Sequence, residues 1–240
     1  MIAWVVLILF FSTLVRSTLG FGDALLAMPL LAMLLGIRTA TPLVAMAAST
    51  IALLILLEDW RKADFRSAGR LILFTLPGIP FGLLFLKTIN ETVINLVLAG
   101  LLILFSLLQL LRPRLWHLDS DRYAFPFGFV AGLLGGATNT NGPPAILYAV
   151  LRGWDPGKFR ATLQGYFLPT GGAILIGHGL AGLWTGQVAG LYFWSLPAIA
   201  VAVFLGRRIH RAVPAGRFQL WVYLALLVLG GVLLLKSLAG

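Results

Sequence analysis

The side chains best suited to chemistry in this chain lie at two short polar segments, each set between two apolar runs. The first segment, residues 20–22, is flanked by the charged side chains of Arg16 and Asp23. The second segment, residues 138–142, supplies hydroxyl and amide groups. Guanidinium, amide and hydroxyl groups donate hydrogen bonds to carboxylate and sulfonate oxygens, so both segments suit a small anion.

A helix that restarts after each segment would add its positive end to such a site. Its first backbone N–H groups lack partners and carry a partial positive charge of about half a unit. Pro143 suits the first turn of this helix, because proline lacks the N–H that would be left over there. We therefore expect two helix N-termini to face each other around the anion. The alternative is that both segments are hairpin turns and caps without a ligand.

The candidate substrate-binding residues come from these segments, from Arg16 and from a glutamine in a later apolar run. They are Gly20, Phe21, Gly22, Thr138, Asn139, Thr140, Asn141, Gly142, Pro143, Arg16 and Gln164. Gln164 belongs with Ser49, Thr50 and Thr162, which are polar residues in the spans that follow the two segments. Such residues can line a pathway, although hydrogen bonding between helices is their commoner role.

Arg16 and Asp23 are the two charges nearest the first segment, and each is costly within a bilayer. If they pair, they neutralise each other. If they lie apart, Arg16 attracts an anion and Asp23 can take up a proton. Asp23 is therefore the candidate for carrying or gating a coupling proton. Two alternatives remain open: Asp23 as a helix N-cap that accepts backbone N–H bonds, and Arg16 as a side chain that reaches the membrane interface.

Other kinds of chemistry have little support in the sequence. The chain has no cysteine, which excludes disulfides and thiolate chemistry. No two histidines or carboxylates have metal-ligand spacing, and no Ser/His/Asp set is apparent. The glycine-rich stretch 132–136 is not followed by the Gly-Lys-Ser/Thr of a phosphate-binding loop. We therefore expect no metal, no cofactor and no enzymatic activity, with His178 at an interface and His117 and His210 in solvated loops.

The composition places these segments in a membrane. Hydrophobic residues make up 60% of the chain, charged residues make up 11%, and the mean hydropathy is +0.97; soluble domains carry about 25% charged residues. Runs such as 93–111, 188–205 and 218–235 approach the roughly 20 residues that cross a bilayer as a helix. The alternation of an outer-membrane barrel is absent. We predict an all-α integral membrane protein.

The net charge of +10 fits this placement, because the basic residues gather in loops. Fourteen of the eighteen lysine and arginine residues lie in four loops, at 61–70, 112–122, 152–160 and 207–217. By the positive-inside rule these loops are cytoplasmic and both termini are external, in a multi-pass protein of the cytoplasmic (inner) membrane. Nucleic acid is therefore not expected as a partner.

The chain consists of two similar halves. Leu-Pro-Gly-Ile at 76–79 is echoed by Leu-Pro-Ala-Ile at 196–199, an offset of 120 residues, and both prolines are expected to kink their spans. The apolar segments recur in order, at roughly 2–19, 24–36, 41–57, 70–86 and 93–111, and again at 123–137, 143–152, 160–177, 188–205 and 218–236. Corresponding loops carry opposite charge bias, as an inverted duplication requires.

The predicted architecture is therefore two inverted-topology repeats, residues 1–112 and 123–240, joined by a cytoplasmic linker at 113–122. Each repeat is a broken helical hairpin followed by three transmembrane helices. Six full spans and two hairpins make about eight hydrophobic spans, or up to ten if both hairpin arms cross the bilayer. The halves form a single transmembrane domain.

Short glycine- and proline-containing motifs follow one another in a fixed order along nearly the whole chain. They are Gly20-Phe21-Gly22-Asp23, Met28-Pro29-Leu30-Leu31, Leu35-Gly36, Gly132-Leu133-Leu134-Gly135-Gly136, Gly142-Pro143-Pro144 and Arg160-Ala161-Thr162. In order, spacing and duplication the chain resembles the TauE/SafE sulfite-exporter-like permeases. The resemblance implies movement of sulfite, sulfonates or other small anions. One departure is Asp23-Ala24-Leu25, where the family often has a run of glycines.

These observations predict a secondary transporter that moves a small anion by alternating access, with the substrate held at the two polar segments. Sulfite, sulfonates and related organosulfur or carboxylate anions are the expected substrates, and proton coupling through Asp23 is a hypothesis. An anion channel and a non-transporting membrane partner protein are the alternatives. The expected partners are the anion and the lipid bilayer, and a homodimer is left open.

Overall fold

The computed structural model describes residues 1–111, 117–212 and 215–239, and its regular structure there is entirely helical. The first half contains α1 (Ile2–Leu19), α2 (Asp23–Leu35), α3 (Ile37–Asp59), α4 (Phe65–Thr75), α5 (Gly78–Thr88) and α6 (Glu91–Leu111). The second half contains α7 (Ala124–Thr138), α8 (Gly142–Leu151), α9 (Pro156–Leu180), α10 (Gly186–Ala212) and α11 (Ala215–Ala239). Short 3-10 turns, Trp60–Lys62 and Asp121–Tyr123, follow α3 and precede α7. The all-α prediction is confirmed.

Several of these helices can cross a bilayer. Within the described residues, five are long and apolar enough, namely α1, α3, α6, α10 and α11, and α4 with α5 makes a sixth as a bent pair. The apolar helices α2, α7 and α8 are shorter. Helix α9 has 25 residues but carries polar side chains such as Arg160, Gln164 and Thr170. The chain is a multi-pass membrane protein.

Each half opens with a broken pair of helices, as predicted. α1 and α2 are separated at residues 20–22, and α7 and α8 at residues 139–141. The two breaks form because the chain turns into the left-handed region at Gly20 and at Asn139, which ends the preceding helix. The predicted segment bounds agree with these helices to within one or two residues.

The sequence predicts the fourth segment of the first half as one span at roughly 70–86, kinked at its proline. The chain forms two helices there, α4 and α5, which meet at a bend of 45°. Pro77 lies between them, and proline removes a backbone donor and clashes with the preceding turn. In the second half the equivalent Pro197 lies inside the unbroken helix α10.

The helices pack in pairs that exchange between the halves. α1 packs along α10, and α7 packs along α4 and α5, so the first helix of each half lies against the fourth segment of the other. α3 packs on α9, and α6 packs on α11. Exchanging the halves maps these pairs onto one another, which is the pattern that two-fold pseudosymmetry produces. The inverted orientation of the repeats stays a prediction.

The predicted linker at 113–122 lies partly outside the described residues. Its far end is tied to the second half, because the Leu118 N–H donates to the Leu151 carbonyl at 2.9 Å and Arg152 donates to the Leu118 carbonyl. The division of the chain at this linker remains a prediction.

The surface of the helices is rich in large apolar side chains. Exposed examples occur on most of the helices described, such as Leu57, Leu73, Phe193, Trp221 and Val228. Water would disfavour so much exposed apolar area, whereas lipid acyl chains do not. The buried core instead contains the polar breaks, and this arrangement positions the candidate site.

Candidate functional site

The two breaks lie against the same small cavity. Its volume is about 20 Å³, enough for about one water molecule. The first break contributes Arg16, Gly22 and Asp23, and the second contributes Asn139, Thr140, Asn141 and Gly142. Segments about 120 residues apart in the sequence thus share one buried space.

The first break depends on glycines in the left-handed conformation. Gly20 (φ +91°) ends α1 and donates its N–H to the Arg16 carbonyl at 2.6 Å, and Gly22 (φ +102°) precedes α2. Side chains at these φ angles are strained, and a Cβ on Gly20 would lie 3.0 Å from Cγ of Arg160. The first turn of α2 therefore reaches the cavity with backbone N–H groups that have no partner within the helix.

The second break begins with the same left-handed turn but uses asparagine for it. Asn139 (φ +54°) donates its N–H to the Gly135 carbonyl at 2.8 Å, and Thr140 donates to the Leu134 carbonyl at 3.3 Å. Asparagine tolerates this conformation better than most residues. Proline occupies the first turn of α8, as predicted, and lacks an N–H. Because the Asn139 and Thr140 N–H groups bond to carbonyls of α7, the backbone N–H donors left at this break are those of Asn141 and Gly142.

Arg16 lies at the centre of a buried polar network. Its Nη1 donates to Asp23 Oδ2 at 2.7 Å, and its Nε and Nη2 donate to Gln164 Oε1 at 3.2 and 2.9 Å. Gln164 Nε2 donates in turn to the Gly20 carbonyl at 2.7 Å. The guanidinium also lies 4.7 Å from the centroid of the Phe167 ring. Four contacts thus hold the positive charge in one orientation.

The contacts of Arg16 decide between the alternatives left open by the sequence. The N-cap alternative for Asp23 is wrong, because Gly22 is the N-cap of α2 and no side chain caps that helix. Arg16 does not reach an interface, since it is only 3% exposed. The two charges lie together as an ion pair, which lowers the cost of burying either one.

Some candidate residues lie away from the cavity. Phe21 packs in the core, with its ring centroid 6.4 Å from that of Phe105. Pro143 lines a separate apolar groove between α6, α7 and α8. Thr138 is also outside the cavity wall and forms a hydrogen bond of 2.7 Å with the hydroxyl of Thr140. Asn141 does line the cavity, and its Nδ2 donates to Thr170 Oγ1 at 3.3 Å.

The structure adds residues to the cavity wall that the candidate set did not include. They are Ala24, Leu25, Ala48, Ser49, Ile146, Phe167 and Gly171. Ser49 Oγ is buried and has no hydrogen-bond partner among the described residues, so it is free to bind a ligand. Phe167 could have been found, because it lies three residues after Gln164 on the same face of α9.

The other polar residues of these spans bond to their neighbours. Thr50 Oγ1 lies 2.7 Å from the Tyr192 hydroxyl, and Thr162 Oγ1 accepts the Asp64 N–H at 3.0 Å. Thr50 and Thr162 therefore form hydrogen bonds between segments, the commoner role of such residues, rather than lining the cavity.

Two histidines contact the helices that precede the breaks. His178 is buried in α9, and its Nε2 lies 3.1 Å from the Gly136 carbonyl, so the prediction of an interfacial residue is wrong. His210 is exposed but belongs to α10, where its Nδ1 lies 2.7 Å from the Thr18 carbonyl. Each imidazole therefore contacts a carbonyl near the C-terminal end of a helix.

Comparison with known proteins adds independent information to this geometry. A family model described as sulfite exporter TauE/SafE matches residues 5–233. No curated protein and no solved structure matches the chain. The family consists of membrane transporters rather than enzymes, and its model covers nearly all of the helices described above. The chain therefore belongs to the TauE/SafE sulfite exporter family of membrane transporters.

Proposed function

We propose that this transporter carries a small anion by alternating access, with the anion held between the two breaks. The observation that carries the proposal is the cavity shared by both breaks and by Arg16. Sulfite, sulfonates and related organosulfur or carboxylate anions fit the donors around it, and the description of the family names sulfite.

The charges around the cavity favour binding of an anion and indicate how its transport is coupled to a proton. Arg16 is the full positive charge at the cavity, and Asp23 neutralises it when the site holds no substrate. An anion must compete with that carboxylate for the guanidinium. Protonation of Asp23 would release Arg16 to the anion, so that one proton and one negative charge enter together. Asp23 is therefore the proposed coupling residue.

The size of the cavity supports a carrier cycle. A space that holds about one water molecule is too small for a sulfonate, so the substrate requires a more open conformation. The backbone breaks at Gly20 and Asn139 provide places where the helical hairpins can move relative to the spans around them.

Transport by purified protein in liposomes tests the proposal. We expect saturable uptake of radiolabelled sulfite or a short sulfonate, accelerated by the same anion inside the liposomes. The double variant Asn139→Ala, Asn141→Ala should lower uptake by about tenfold or more, the loss expected when hydrogen bonds to a charged ligand are removed. Gln109→Ala in α6 is the matched amide control and should transport normally.

The same assay separates the alternatives. A channel would give flux that neither saturates nor accelerates with internal substrate. Negligible flux of sulfite, sulfonates and carboxylates by the unaltered protein would contradict the carrier proposal and favour a non-transporting partner role. Normal uptake by the double asparagine variant would show that the amides of the second break do not bind the substrate.

Coupling through Asp23 has its own test. Asp23→Asn imitates the protonated carboxyl, so the variant should still take up the anion but should no longer respond to an imposed pH gradient. Glu91→Gln, which alters an exposed carboxylate, is the control and should keep the response. A normal pH response in Asp23→Asn would end the coupling hypothesis.

A further inference from the structure

We propose that a cluster of ion pairs joining α3, α9 and α10 is the gate that closes one side of this carrier. The ion-pair cluster consists of Glu58, Asp59, Lys62, Arg160 and Arg207. It lies at the end of the molecule that the distribution of basic loops predicts to be cytoplasmic. The inference rests on the proposed transport function and extends it from the substrate site to the route by which the substrate enters or leaves.

The contacts within the cluster tie three helices together at one point. Arg160 Nη1 of α9 lies 3.1 Å from Asp59 Oδ2 at the end of α3, and Lys62 Nζ lies 2.9 Å from the other oxygen of that carboxylate. Arg207 of α10 pairs with Glu58 of α3. The small cavity shared by the two breaks is called the inner cavity here. Because α3 and α9 both line it, separating these pairs would change the walls of the substrate site.

Arg160 connects the cluster directly to the first break. Its Cγ would lie 3.0 Å from a Cβ on Gly20, so the arginine stem packs against the backbone of the break. Gln164, one turn further along α9, bonds to both Gly20 and Arg16. A movement of Arg160 away from Asp59 would therefore be transmitted to the groups that hold Arg16.

A second cavity lies on the outer side of this contact. Its volume is about 250 Å³, and the ion-pair cluster lines it together with Ala161 and His210. Three cations and two carboxylates give the cavity an excess of one positive charge with His210 neutral, which favours a small anion over a cation. In this proposal the larger cavity is the vestibule, and Arg160 belongs to its wall and packs against the first break.

The position of Asp59 suggests that the cluster is suited to opening. Asp59 is the last residue of α3, where the negative end of the helix dipole disfavours a carboxylate. The cations of the cluster hold it there. The side chains of the Arg160–Asp59 and Arg207–Glu58 pairs are 14–32% exposed, so an entering anion can compete for the arginines.

The opposite end of the molecule differs. The C-terminal part of α9 and the end of α5 occupy the position that the pseudosymmetry relates to the cluster, and a cavity of about 550 Å³ there is lined mostly by apolar side chains. Ile79, Leu84 and Leu180 line this cavity, and the one charged residue of its lining is Lys87, which corresponds to Arg207 at the offset of 120 residues. The ion pairs therefore distinguish one end of the transporter from the other.

Labelling of a single thiol tests the gate without requiring transport. The chain has no cysteine, so Ser49→Cys introduces a unique thiol in the wall of the inner cavity. Inside-out membrane vesicles present the predicted cytoplasmic end to a membrane-impermeant thiol reagent. On this background, Asp59→Asn and Glu58→Gln should each accelerate labelling by about tenfold, because each removes the charge of a carboxylate that holds an arginine in the closed gate.

A reversed pair and a matched control complete the design. Glu58→Arg with Arg207→Glu restores opposite charges across the gate, so labelling should return towards the rate of the Ser49→Cys parent. Glu91→Gln alters an exposed ion pair at the other end and should have no effect. High salt should accelerate labelling of the Ser49→Cys parent, since it screens partly exposed pairs, and this measurement needs no gate variant.

The proposal that the ion-pair cluster is a gate would be overturned if Asp59→Asn, Glu58→Gln and salt all leave the labelling rate unchanged. If a gate variant fails to fold, the salt dependence of the parent decides alone. Acceleration seen only in right-side-out vesicles would place the gate on the external side and overturn the cytoplasmic assignment. If labelling is accelerated but the protein moves no anion, the gate proposal is retained and the proposed transport of an anion is contradicted.

Discussion

The two breaks begin with the same left-handed turn but differ in chemistry and in the residue that precedes the next helix, Gly22 at φ +102° and Asn141 at φ −72°. Gly20 and Asn139 both end a helix in the left-handed conformation, and both breaks reach the same cavity. The first break carries a buried arginine and a buried carboxylate, whereas the second offers neutral hydroxyl and amide groups. Both halves therefore have a left-handed helix end at the cavity, while the side chains are charged in the first half and neutral in the second.

The fourth segments differ in a related way. In the first half the segment is broken into α4 and α5, whereas α10 is continuous although it contains an equivalent proline. α10 also carries Arg207, which pairs with Glu58 across the halves. Asymmetry in a repeated fold thus appears both in the binding site and in the spans that surround it.

The largest expected effect comes from removing the charge of the first break. Arg16→Gln leaves the Asp23 carboxylate buried without its partner, and we expect a loss of about 3–5 kcal/mol in the free energy of unfolding together with loss of uptake. Thermal unfolding in detergent and uptake into liposomes measure the two effects. Arg38→Gln, at an exposed arginine 3.9 Å from Glu91, should change neither.

The double variant Arg16→Gln, Asp23→Asn sharpens this prediction. It removes both charges, so stability should largely return while uptake stays lost. Normal uptake by the double variant would show that the charged break is dispensable and would erase the functional difference between the two breaks.

A smaller effect is expected at Gly20. Gly20→Ala forces a side chain to adopt a φ of +91° and brings Cβ to 3.0 Å from Arg160. Gly182→Ala imposes the strain alone, because a Cβ there has no neighbour within 4 Å. We expect Gly182→Ala to cost about 1–2 kcal/mol and Gly20→Ala to cost clearly more. Equal shifts in melting temperature would mean that Arg160 does not constrain the first break.

Asn139 allows backbone and side-chain roles to be separated in the second break. Asn139→Ala removes the amide and strains the left-handed position, at a cost of about 1–2 kcal/mol, whereas Asn139→Gly removes the amide without strain. Both should lower uptake, but only the alanine variant should lower the melting temperature. Normal uptake by Asn139→Gly would show that the amide does not bind the substrate.

The smallest effect is expected at the start of α4, where the side chain of Asp64 caps the helix. Ser67 donates its N–H and hydroxyl to Asp64 at 3.0 and 2.8 Å. The Ser67 N–H bond is the main reason that the pKa of Asp64 lies below its usual value of 3.8. Asp64→Ala should cost about 1 kcal/mol at neutral pH, as loss of a helix cap does.

The pH dependence of this cap follows from the lowered pKa. The ionised carboxylate stabilises the folded protein above pH 3.8, and the contribution is lost as the pH falls through the lower pKa of the folded state. Melting temperatures of the unaltered protein and Asp64→Ala should therefore converge in acid. Asp119→Ala, at a side chain that is 94% exposed, is the control and should show no difference at either pH.

Local sequence signals predicted the helices and the breaks well. Glycine at 20 and 22 and proline at 143 mark helix ends through backbone properties that neighbouring residues barely alter. The same local argument did not separate the two Leu-Pro motifs: a bend of 45° lies at Pro77, as expected of a kink, whereas Pro197 lies inside the continuous helix α10. Whether a proline ends a helix depends on the surrounding packing as well as on the proline.

The contacts of the site could not be read from the sequence in the same way. Arg16 and Gln164 are 148 positions apart, and the sequence offered Gln164 as a wall residue without indicating which group it holds. The ion-pair cluster joins residues that the sequence assigned to separate basic loops. Ser49 and Phe167 reach the cavity only because α3 and α9 pack against each other.

By itself, the sequence determined that the chain is an all-helical membrane protein with two polar breaks, because hydropathy, glycine and proline act over a few residues. Only the tertiary structure decided that both breaks meet at one cavity, that Asp23 pairs with Arg16 rather than capping a helix, and that charged residues of α3, α9 and α10 form ion pairs. These outcomes depend on distances between segments far apart in the chain, and such distances are set by how the helices pack.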